Sequence, residues 1–280
     1  MGTFRQSRKE KAFWTVLAVL VVLIFLSPFY IAIVNSLKTQ LETAENVLAL
    51  PKTFSLENYK EAMQKISFTK SLINTLIVTV VADVLIVLCA SMSGHAIARN
   101  SGKSRYFKVL DRIFLSSIMI PFQVIMIPVY KIFRSMGLIN NLLGMIIMLT
   151  GISVAYATFL YVGFIKSIPI ELEEAARIDG CNQLQAFWMI VFPLLKPITA
   201  TVAALHAMWL WNDFNISLIL LQKDAVRTLT IKQFYFFSEY AADYNMAFAA
   251  AIMGMIPVLI FFLLMQKYLV GGITAGAVKG

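Results

Sequence analysis

The residues best suited to chemistry in this sequence form one polar stretch in the C-terminal half of a largely apolar chain. Residues 174–180 read EAARIDG, and IVFP follows at 190–193. Glu174 can accept charge-assisted hydrogen bonds from a second protein. Ala175 and Ala176 would let another surface approach closely, as small residues do where membrane helices pack. These side chains therefore suit protein docking more than bond-breaking chemistry.

A first short helix is predicted to position these residues. A Ser-x-Pro sequence at 167–169 marks its start, and the acidic residues within 171–174 suit the positive end of a helix dipole. Gly180 predicts its end, because a left-handed terminal residue costs glycine little. Glu173 and Arg177 are four residues apart, and we expect them to pair on the exposed face of this helix.

A second short helix is predicted over about 183–192. Asn182, with Gln185 three residues later, resembles a capping box at its start. Pro193 and Pro197 then interrupt the chain. The result is a bent pair of short helices between two membrane spans. This connection is longer than a simple turn requires, which indicates that a partner binds it.

The composition is that of a polytopic membrane protein. Of the 280 residues, 59% are hydrophobic and only 14% are charged, whereas about a quarter of the residues in soluble domains are charged. Cys89 and Cys181 suggest no disulfide framework. The net charge of +9 would suggest nucleic acid in a soluble protein. Here the basic residues flank apolar segments, so membrane topology and anionic lipid account for them, and no nucleic-acid partner is predicted.

Six membrane-spanning helices are predicted, which gives an all-α, polytopic fold in a single transmembrane domain over 1–280. The predicted spans are about 12–34, 71–94, 107–130, 142–164, 197–221 and 244–265. The first apolar run is too long for the core of a signal peptide and lacks a cleavage site, so we expect it to be retained. Candidate hinges are Pro121, Pro128 and Pro257.

The remaining segments are assigned to the two sides of the membrane by their charge. An external lobe is predicted at 35–70, with a short helix from near Ser55, and a Gly-rich cytoplasmic tail at 266–280. Fourteen Lys and Arg residues lie on the predicted inner side against ten outside. The N-terminal arm and a short basic loop that contains Arg99 and Lys103 contribute most to this bias. Both termini are therefore predicted to be cytoplasmic.

With this topology, residues 174–193 resemble the permease subunits of ATP-binding-cassette (ABC) importers, especially the maltose-type carbohydrate branch. The stretch fits E-A-A-x3-G-x9-I-x-L-P, with Phe192 in place of Leu. Two further segments resemble the same family: WLWNDF at 209–214 and the ending KYLVGGITAGAVKG at 267–280.

The resemblance implies a coupling loop, residues 167–196, that is seated in a cleft of a cytoplasmic ATPase. The residues that it assigns to ATPase coupling are Glu174, Ala175, Ala176, Gly180, Ile190, Pro193, Lys279 and Gly280. ATP and magnesium would be bound by the partner ATPase. No cofactor, metal or catalytic residue is predicted on this chain, which we expect not to be an enzyme. The implied partners are a second permease subunit, two ATPase copies, an extracytoplasmic sugar-binding protein and membrane lipid, all at a bacterial cell membrane.

The implied function is ATP-driven, binding-protein-dependent import of a sugar or oligosaccharide by alternating access. Polar and aromatic residues inside the spans could line the substrate path; the candidates are Asp83, Trp211, Asn212 and Asp213. A structural alternative is that Asp213 holds helices together through backbone, Asn or Ser partners. The outer loop at 222–243 could receive the binding protein through Lys223, Arg227 and Tyr235, or could be a re-entrant or interfacial segment.

Two other classes of membrane protein remain as alternatives. An ion- or proton-coupled secondary transporter would use Asp83, His206 and Asp213 as a relay, but neither an inverted repeat nor a pair of broken helices in matching positions is visible in the sequence. A membrane-embedded enzyme would need a polar catalytic cluster, and none is apparent. Residues 102–104 read GKS, like the end of a phosphate-binding loop, but position 97 is Ile instead of Gly. Nucleotide binding by this chain is therefore not predicted.

Overall fold

The computed structural model describes residues 8–239 and 243–277, and in this part of the chain every regular element is a helix. The predicted all-α class is confirmed. Two compact units are present: one contains the chain up to Phe68 together with Gln233–Ile256, and the other contains Thr69–Lys232 and the chain from Pro257.

The first unit contains one long apolar helix and a small polar lobe. Helix α1 (Arg8–Ser36) includes the predicted first span, and none of its most apolar window is buried within the protein. Helices α2 (Gln40–Glu45) and α3 (Glu57–Lys65) form the lobe, and α3 is the short helix predicted near residue 55. Thr39 and Glu42 form a capping box at the start of α2 that the sequence reading did not identify.

Two amide side chains, the buried Asn245 and the half-buried Asn58, tie the polar lobe to the end of α1. The amide nitrogen of Asn245 lies 2.7 Å from the Asn35 carbonyl oxygen and 2.7 Å from the Thr43 hydroxyl. The amide of Asn58 donates to the carbonyl of Lys38 at 2.8 Å. Because these backbone carbonyls are away from water, each amide supplies a hydrogen bond that water would otherwise provide.

Two long straight helices anchor the second unit. These are α4 (Phe68–Asn100) and α7 (Leu142–Ile165), and both are long and apolar enough to cross a membrane. Helix α4 is longer than the predicted span at both ends. As a result, residues assigned to a basic loop, including Arg99, form the last turn of this helix.

The predicted third span is two helices instead of one kinked helix. Helices α5 (Arg105–Ile118) and α6 (Phe122–Ser135) are bent by 103° at the break between them. Pro121 stands just before α6 in an extended conformation, with φ −62° and ψ 135°. Proline has no N–H to donate and disfavours helix in the residue before it, so the helix stops here instead of bending. Pro128, in contrast, lies inside α6.

The predicted fifth span is also interrupted. Helix α11 (Lys196–Trp211) ends ten residues earlier than predicted, and a short helix α12 (Asn215–Leu220) follows it. At its other end, α11 is bent by 75° from the helical segment Gln183–Leu194. Four helices are long and apolar enough to span a membrane, and up to six spans result if each bent pair counts as one, among the described residues.

The last two helices complete the chain. Helix α13 (Leu229–Glu239) follows the outer loop, and α14 starts at Tyr244, where the sixth span was predicted to start. Helix α14 (Tyr244–Ala277) includes Pro257 and continues twelve residues past the predicted end of that span. Lys279 and Gly280 lie outside the described residues, as does the side chain of Tyr235.

The core of the second unit is a continuous set of apolar side chains contributed by α4, α6, α7, α11 and α12 and by the coupling loop. Its fully buried members include Ile86, Met145, Tyr161, Ile165 and Leu195. Because lipid tails are as apolar as these side chains, close packing stabilises the part of this core that lies in the membrane. The coupling loop shares this core with the spans, so it is packed into the unit and is not a free appendage.

Candidate functional site

The coupling loop begins with one well-defined helix, α8 (Glu171–Ile178). Its first turn carries three acidic residues, as the dipole argument predicted. Gly180 follows with φ +89°, in the left-handed region. The N–H of Gly180 donates to the Arg177 carbonyl at 3.1 Å, and the N–H of Cys181 donates to the Ala176 carbonyl at 3.0 Å. These two bonds form a Schellman motif, so the predicted glycine stop is confirmed with its mechanism.

The second half of the loop starts at the predicted capping box. The N–H of Gln185 donates to the Asn182 side chain at 2.9 Å, and the Gln185 side chain accepts from the Asn182 N–H at 2.8 Å. The helix then runs as α9 (Gln183–Ala186), a π-helical turn (Phe187–Val191) and α10 (Phe192–Leu194). No residue pattern in this segment predicted the π-helical turn.

The loop presents a surface that mixes apolar and charged groups. Glu174, Ala175 and Gly180 are exposed. Ile178 is 86% exposed and Leu184 is 60% exposed, which is unusual for large apolar side chains outside a membrane and indicates a contact surface. The other assigned coupling residues are placed differently: Ala176 is buried, Ile190 is half-buried and Pro193 is exposed.

Glu173 does not pair with Arg177, so that expectation is wrong. The carboxylate of Glu173 is buried and accepts a hydrogen bond from Arg99 Nε at 2.7 Å. Its other oxygen lies 2.8 Å from His95 Nε2. The Arg99 guanidinium also donates to the Ile168 carbonyl at 3.0 Å. We call this set of contacts among His95, Arg99 and Glu173 the carboxylate joint.

The hydrogen-bond donors of the carboxylate joint stabilise the ionised form of the buried Glu173. Burial on its own would raise the pKa of Glu173, but the hydrogen bonds from His95 and Arg99, together with their charges, lower the pKa below its ordinary value. A buried carboxylate is tolerated when such partners satisfy its oxygens. The His95 ring also contacts Phe187, with ring centroids 5.2 Å apart. The joint therefore fixes α4 to both helices of the coupling loop.

The carboxylate joint was not predicted from the sequence, because Glu173 lies 74 positions after Arg99 and 78 positions after His95. A signal was nonetheless present: His95 and Arg99 are one helical turn apart and close to the end of an apolar helix. Such residues lie on the same helix face and can bind one acidic group together.

The contacts continue from α4 into α7. Ser93 Oγ lies 2.7 Å from Thr158 Oγ1. At Gly94 the backbones are so close that a Cβ atom would lie 2.7 Å from the Cβ of Tyr161. The Tyr161 hydroxyl in turn donates to Thr199 on α11 at 2.9 Å. Packed side chains thus connect α8 through α4 and α7 to α11.

Three of the four residues predicted to line the substrate path, Trp211, Asn212 and Asp213, lie at the end of α11 and in the break before α12. The Asp213 carboxylate accepts from the Ser217 N–H at 2.9 Å and so caps α12. The Asn212 amide donates to the Met208 carbonyl at 2.8 Å. The Trp211 carbonyl accepts from the Thr230 hydroxyl at 3.1 Å. The Asp213 contact agrees with the alternative that this carboxylate holds helices together through a backbone partner. A role of these three residues in the substrate path stays a prediction.

Asp83 and His206 are placed separately from this break. One carboxylate oxygen of Asp83 on α4 is buried without a hydrogen-bond partner among the described residues. His206 Nδ1 bonds within its own helix to the Val202 carbonyl at 2.9 Å, and its ring packs against Tyr156 and Trp209. The relay proposed for a secondary transporter would need bonds or bridging water between these groups. The contacts of the described residues do not join them.

The outer loop is held by α4. The Asn74 amide donates to the Arg227 carbonyl at 3.1 Å, and the Arg227 guanidinium donates to the Gln222 carbonyl at 3.1 Å. Arg227 is therefore engaged within the loop and its side chain is mostly buried. Lys223 is exposed and remains available to a partner.

Together these features define a class of protein: a helical membrane protein with an exposed helical loop that is rigidly attached to its spans. The chain belongs to the family described as the binding-protein-dependent transport system inner membrane component, whose profile matches residues 86–274. Members of this family are membrane permeases of ABC importers and are not the catalytic subunits.

Similar proteins support this assignment over nearly the whole chain. A protein named "Probable starch degradation products transport system permease protein AmyC", from Thermoanaerobacterium thermosulfurigenes, is 40% identical, over 98% of this chain and 99% of its own length. The melibiose/raffinose/stachyose import permease MelC of Bacillus subtilis is 38% identical, over 95% and 96% respectively. Among solved structures, a chain of a bacterial ABC transporter that imports the acidic polysaccharide alginate has a TM-score of 0.80 at 26% identity, over 95% of this chain and 99% of its own.

Proposed function

We propose that this chain is the permease subunit of an ATP-driven importer for an oligosaccharide. The substrate class is supported by the names of its relatives, which concern starch degradation products and melibiose, raffinose and stachyose. The proposed partners are an extracytoplasmic binding protein, a second permease subunit and two copies of a cytoplasmic ATPase, which supplies the ATP and magnesium chemistry. Both termini would then face the cytoplasm, on the side of the coupling loop.

The observation that carries this proposal is the exposed face of α8 on a loop that is fixed to the spans. Glu174 and Ala175 offer a small, acidic contact point, with Ile178 and Leu184 exposed on the same loop. A partner bound to this face can move the loop as a rigid body. The carboxylate joint then passes the motion to α4, because a buried ion pair resists separation.

From α4 the motion would reach the substrate path through tight packing. Gly94 lies directly against Tyr161, and Tyr161 is hydrogen bonded to Thr199 on α11. Packed helices of this kind shift as units because their interfaces do not deform continuously. Alternating access would follow if the ATPase and the substrate each favour one of two arrangements.

The proposal is tested by placing a large cation on the exposed face of α8. Ala175→Arg should abolish co-purification of the ATPase with the tagged chain and abolish uptake, because the new side chain fills the contact point. Ala225→Arg, at an exposed position of the outer loop, is the matched control and should leave co-purification unchanged. If the ATPase still co-purifies with the Ala175→Arg variant and uptake persists, the assignment of the docking face is wrong.

The substrate is identified through the binding protein. Affinity purification of the binding protein that associates with this chain, followed by mass spectrometry of its ligand, should reveal an oligosaccharide. A bound ligand of another class would refute the proposed substrate while leaving the docking test unaffected.

A further inference from the structure

A second candidate site lies at the turn between α4 and α5. The turn and the first two turns of α5 surround a concavity of about 490 Å³. Its lining includes four basic residues: Lys103, Arg105, Lys108 and Arg112. Two serines, Ser101 and Ser104, line the same space. This turn contains the GKS sequence whose resemblance to a phosphate-binding loop was set aside above.

The four cations have no ionic partner within the described chain. Every ion pair found there involves other residues. Like charges that line one concavity repel each other, so the site favours an anion that can neutralise several of them. The dipole of α5 adds the positive end of the helix to the same space.

The basic concavity lies on the coupling-loop side of the protein, next to an exposed apolar helix. Arg99, at the end of α4, holds Glu173, so the turn lies on the same side of the protein as the coupling loop. Directly beyond the turn, α5 buries none of its side chains. Several of its apolar residues are exposed, including Tyr106 at 66% and Ile113 at 56% exposure.

Basic groups at one end of an exposed apolar helix match the two parts of a phospholipid. Acyl chains can cover the apolar face of α5, while the headgroup reaches the cations. Arg112 stands two turns into the helix, and its long side chain can extend back toward the membrane surface. A soluble phosphate would use the cations but would leave the apolar face of α5 without a role.

We propose that this concavity binds the headgroup of an anionic phospholipid from the membrane leaflet on the side of the coupling loop. This inference depends on the membrane setting of the family and not on the sugar substrate. The site is next to the carboxylate joint along α4, so a bound lipid would brace the helix that carries the coupling motion.

The test measures binding of fluorescent phosphatidylglycerol to the delipidated, assembled transporter. Each cation near an anionic headgroup contributes about fivefold to binding, so Lys108→Gln combined with Arg112→Gln should raise the Kd by about 25-fold. Both side chains are exposed, so folding should be unaffected. Lys131→Gln combined with Arg134→Gln removes the same charge from exposed positions of α6 and should leave the Kd unchanged.

Three results would overturn the proposal. The two double variants could weaken binding equally, which would indicate general surface charge. Phosphatidylcholine could bind as tightly as phosphatidylglycerol, which would remove the role of the headgroup charge. Inorganic phosphate or ATP could displace the lipid, which would make the site one for a soluble anion. None of these outcomes affects ATPase co-purification, so failure here is distinguishable from failure of the proposed function.

Discussion

Replacing Glu173 by alanine should weaken the attachment of α8 to α4 while leaving the exposed face of α8 intact. The carboxylate accepts from Arg99 at 2.7 Å and bonds His95 at 2.8 Å, and only 4% of the Glu173 side chain is exposed. Removal of one partner from a buried ion pair costs about 3–5 kcal/mol, because the remaining charge is left unpaired. Arg99→Ala should cost less than Glu173→Ala, because His95 would still bond the carboxylate.

Measurements of ATPase binding and of uptake per ATP separate binding of the ATPase to α8 from transfer of motion to α4. We expect the Glu173→Ala transporter to retain its ATPase subunit, since Glu174 and Ala175 are unchanged. We expect it to lose most uptake per ATP hydrolysed, because α8 then moves α4 less effectively. Reconstituted vesicles allow hydrolysis and uptake to be measured in the same preparation. Leu172→Ala, which removes an exposed side chain of the same helix, is the control for α8 in general.

A double-mutant cycle tests the physical reasoning behind this prediction. Residues that share one buried ion pair should show an interaction energy of about 0.5–3 kcal/mol between Glu173→Ala and Arg99→Ala. Thermal unfolding of the purified transporter supplies the stabilities. Effects that simply add would show that the joint is not an energetic unit. Equal uptake per ATP in the variant and the wild type would refute its role in transmission.

The pH dependence has a definite sign. Because the pKa of Glu173 is lower in the folded protein than in the unfolded chain, its stabilisation is fully present above the unfolded value of about 4.3. The stabilisation is lost as the pH falls through the folded pKa. The stability difference between wild type and Glu173→Gln should therefore persist at neutral pH and fall in acid as Glu173 becomes protonated. A difference that disappears near neutrality would contradict the assignment.

Three further substitutions test individual features. Gly180→Ala forces a side chain into the left-handed region and should destabilise the protein by about 1 kcal/mol, whereas Gly102→Ala should not, as thermal unfolding can show. Gly94→Ala places a Cβ against the buried side chain of Tyr161, so it should lower the free energy of unfolding by about 1–3 kcal/mol and slow uptake. Gly163 has open space around it, so Gly163→Ala should change neither stability nor uptake. Asp213→Ala removes a helix cap and should cost about 1 kcal/mol with an unchanged KM for uptake; a raised KM would instead support contact with the substrate.

Local features of the coupling loop could be predicted because they depend on neighbouring residues. The Asn182 capping box, the Gly180 stop and the acidic first turn of α8 each involve residues within a few positions of one another. Backbone preference and hydrogen-bonding chemistry decide such features before any tertiary contact forms. The start of α14 at Tyr244 and the bounds of α7 were also close to prediction, because apolar length alone indicates a span.

Other features depend on contacts that a single sequence does not display. Glu173 was assigned to an exposed pair because Arg177 is its neighbour on the helix, yet a buried site with two donors competes better for the carboxylate. The break at Pro121 was predicted as a kink, since the sequence does not show whether α6 continues in the direction of α5. Asp213 resembles a substrate ligand in a continuous span and becomes a helix cap only when the span is known to be broken.

The side-chain size at the two adjacent alanines of α8 is limited by two different proteins. Ala175 is exposed, whereas Ala176 is buried in the packing of this chain. If an ATPase docks on α8 as proposed, a larger residue at 175 would be opposed only by that protein, and a compensating change would have to arise in the gene of the ATPase. A larger residue at 176 would require repacking within this chain alone. When permeases and ATPases are exchanged between related transporters, position 175 should therefore decide whether the new pair is compatible, and position 176 should have no influence.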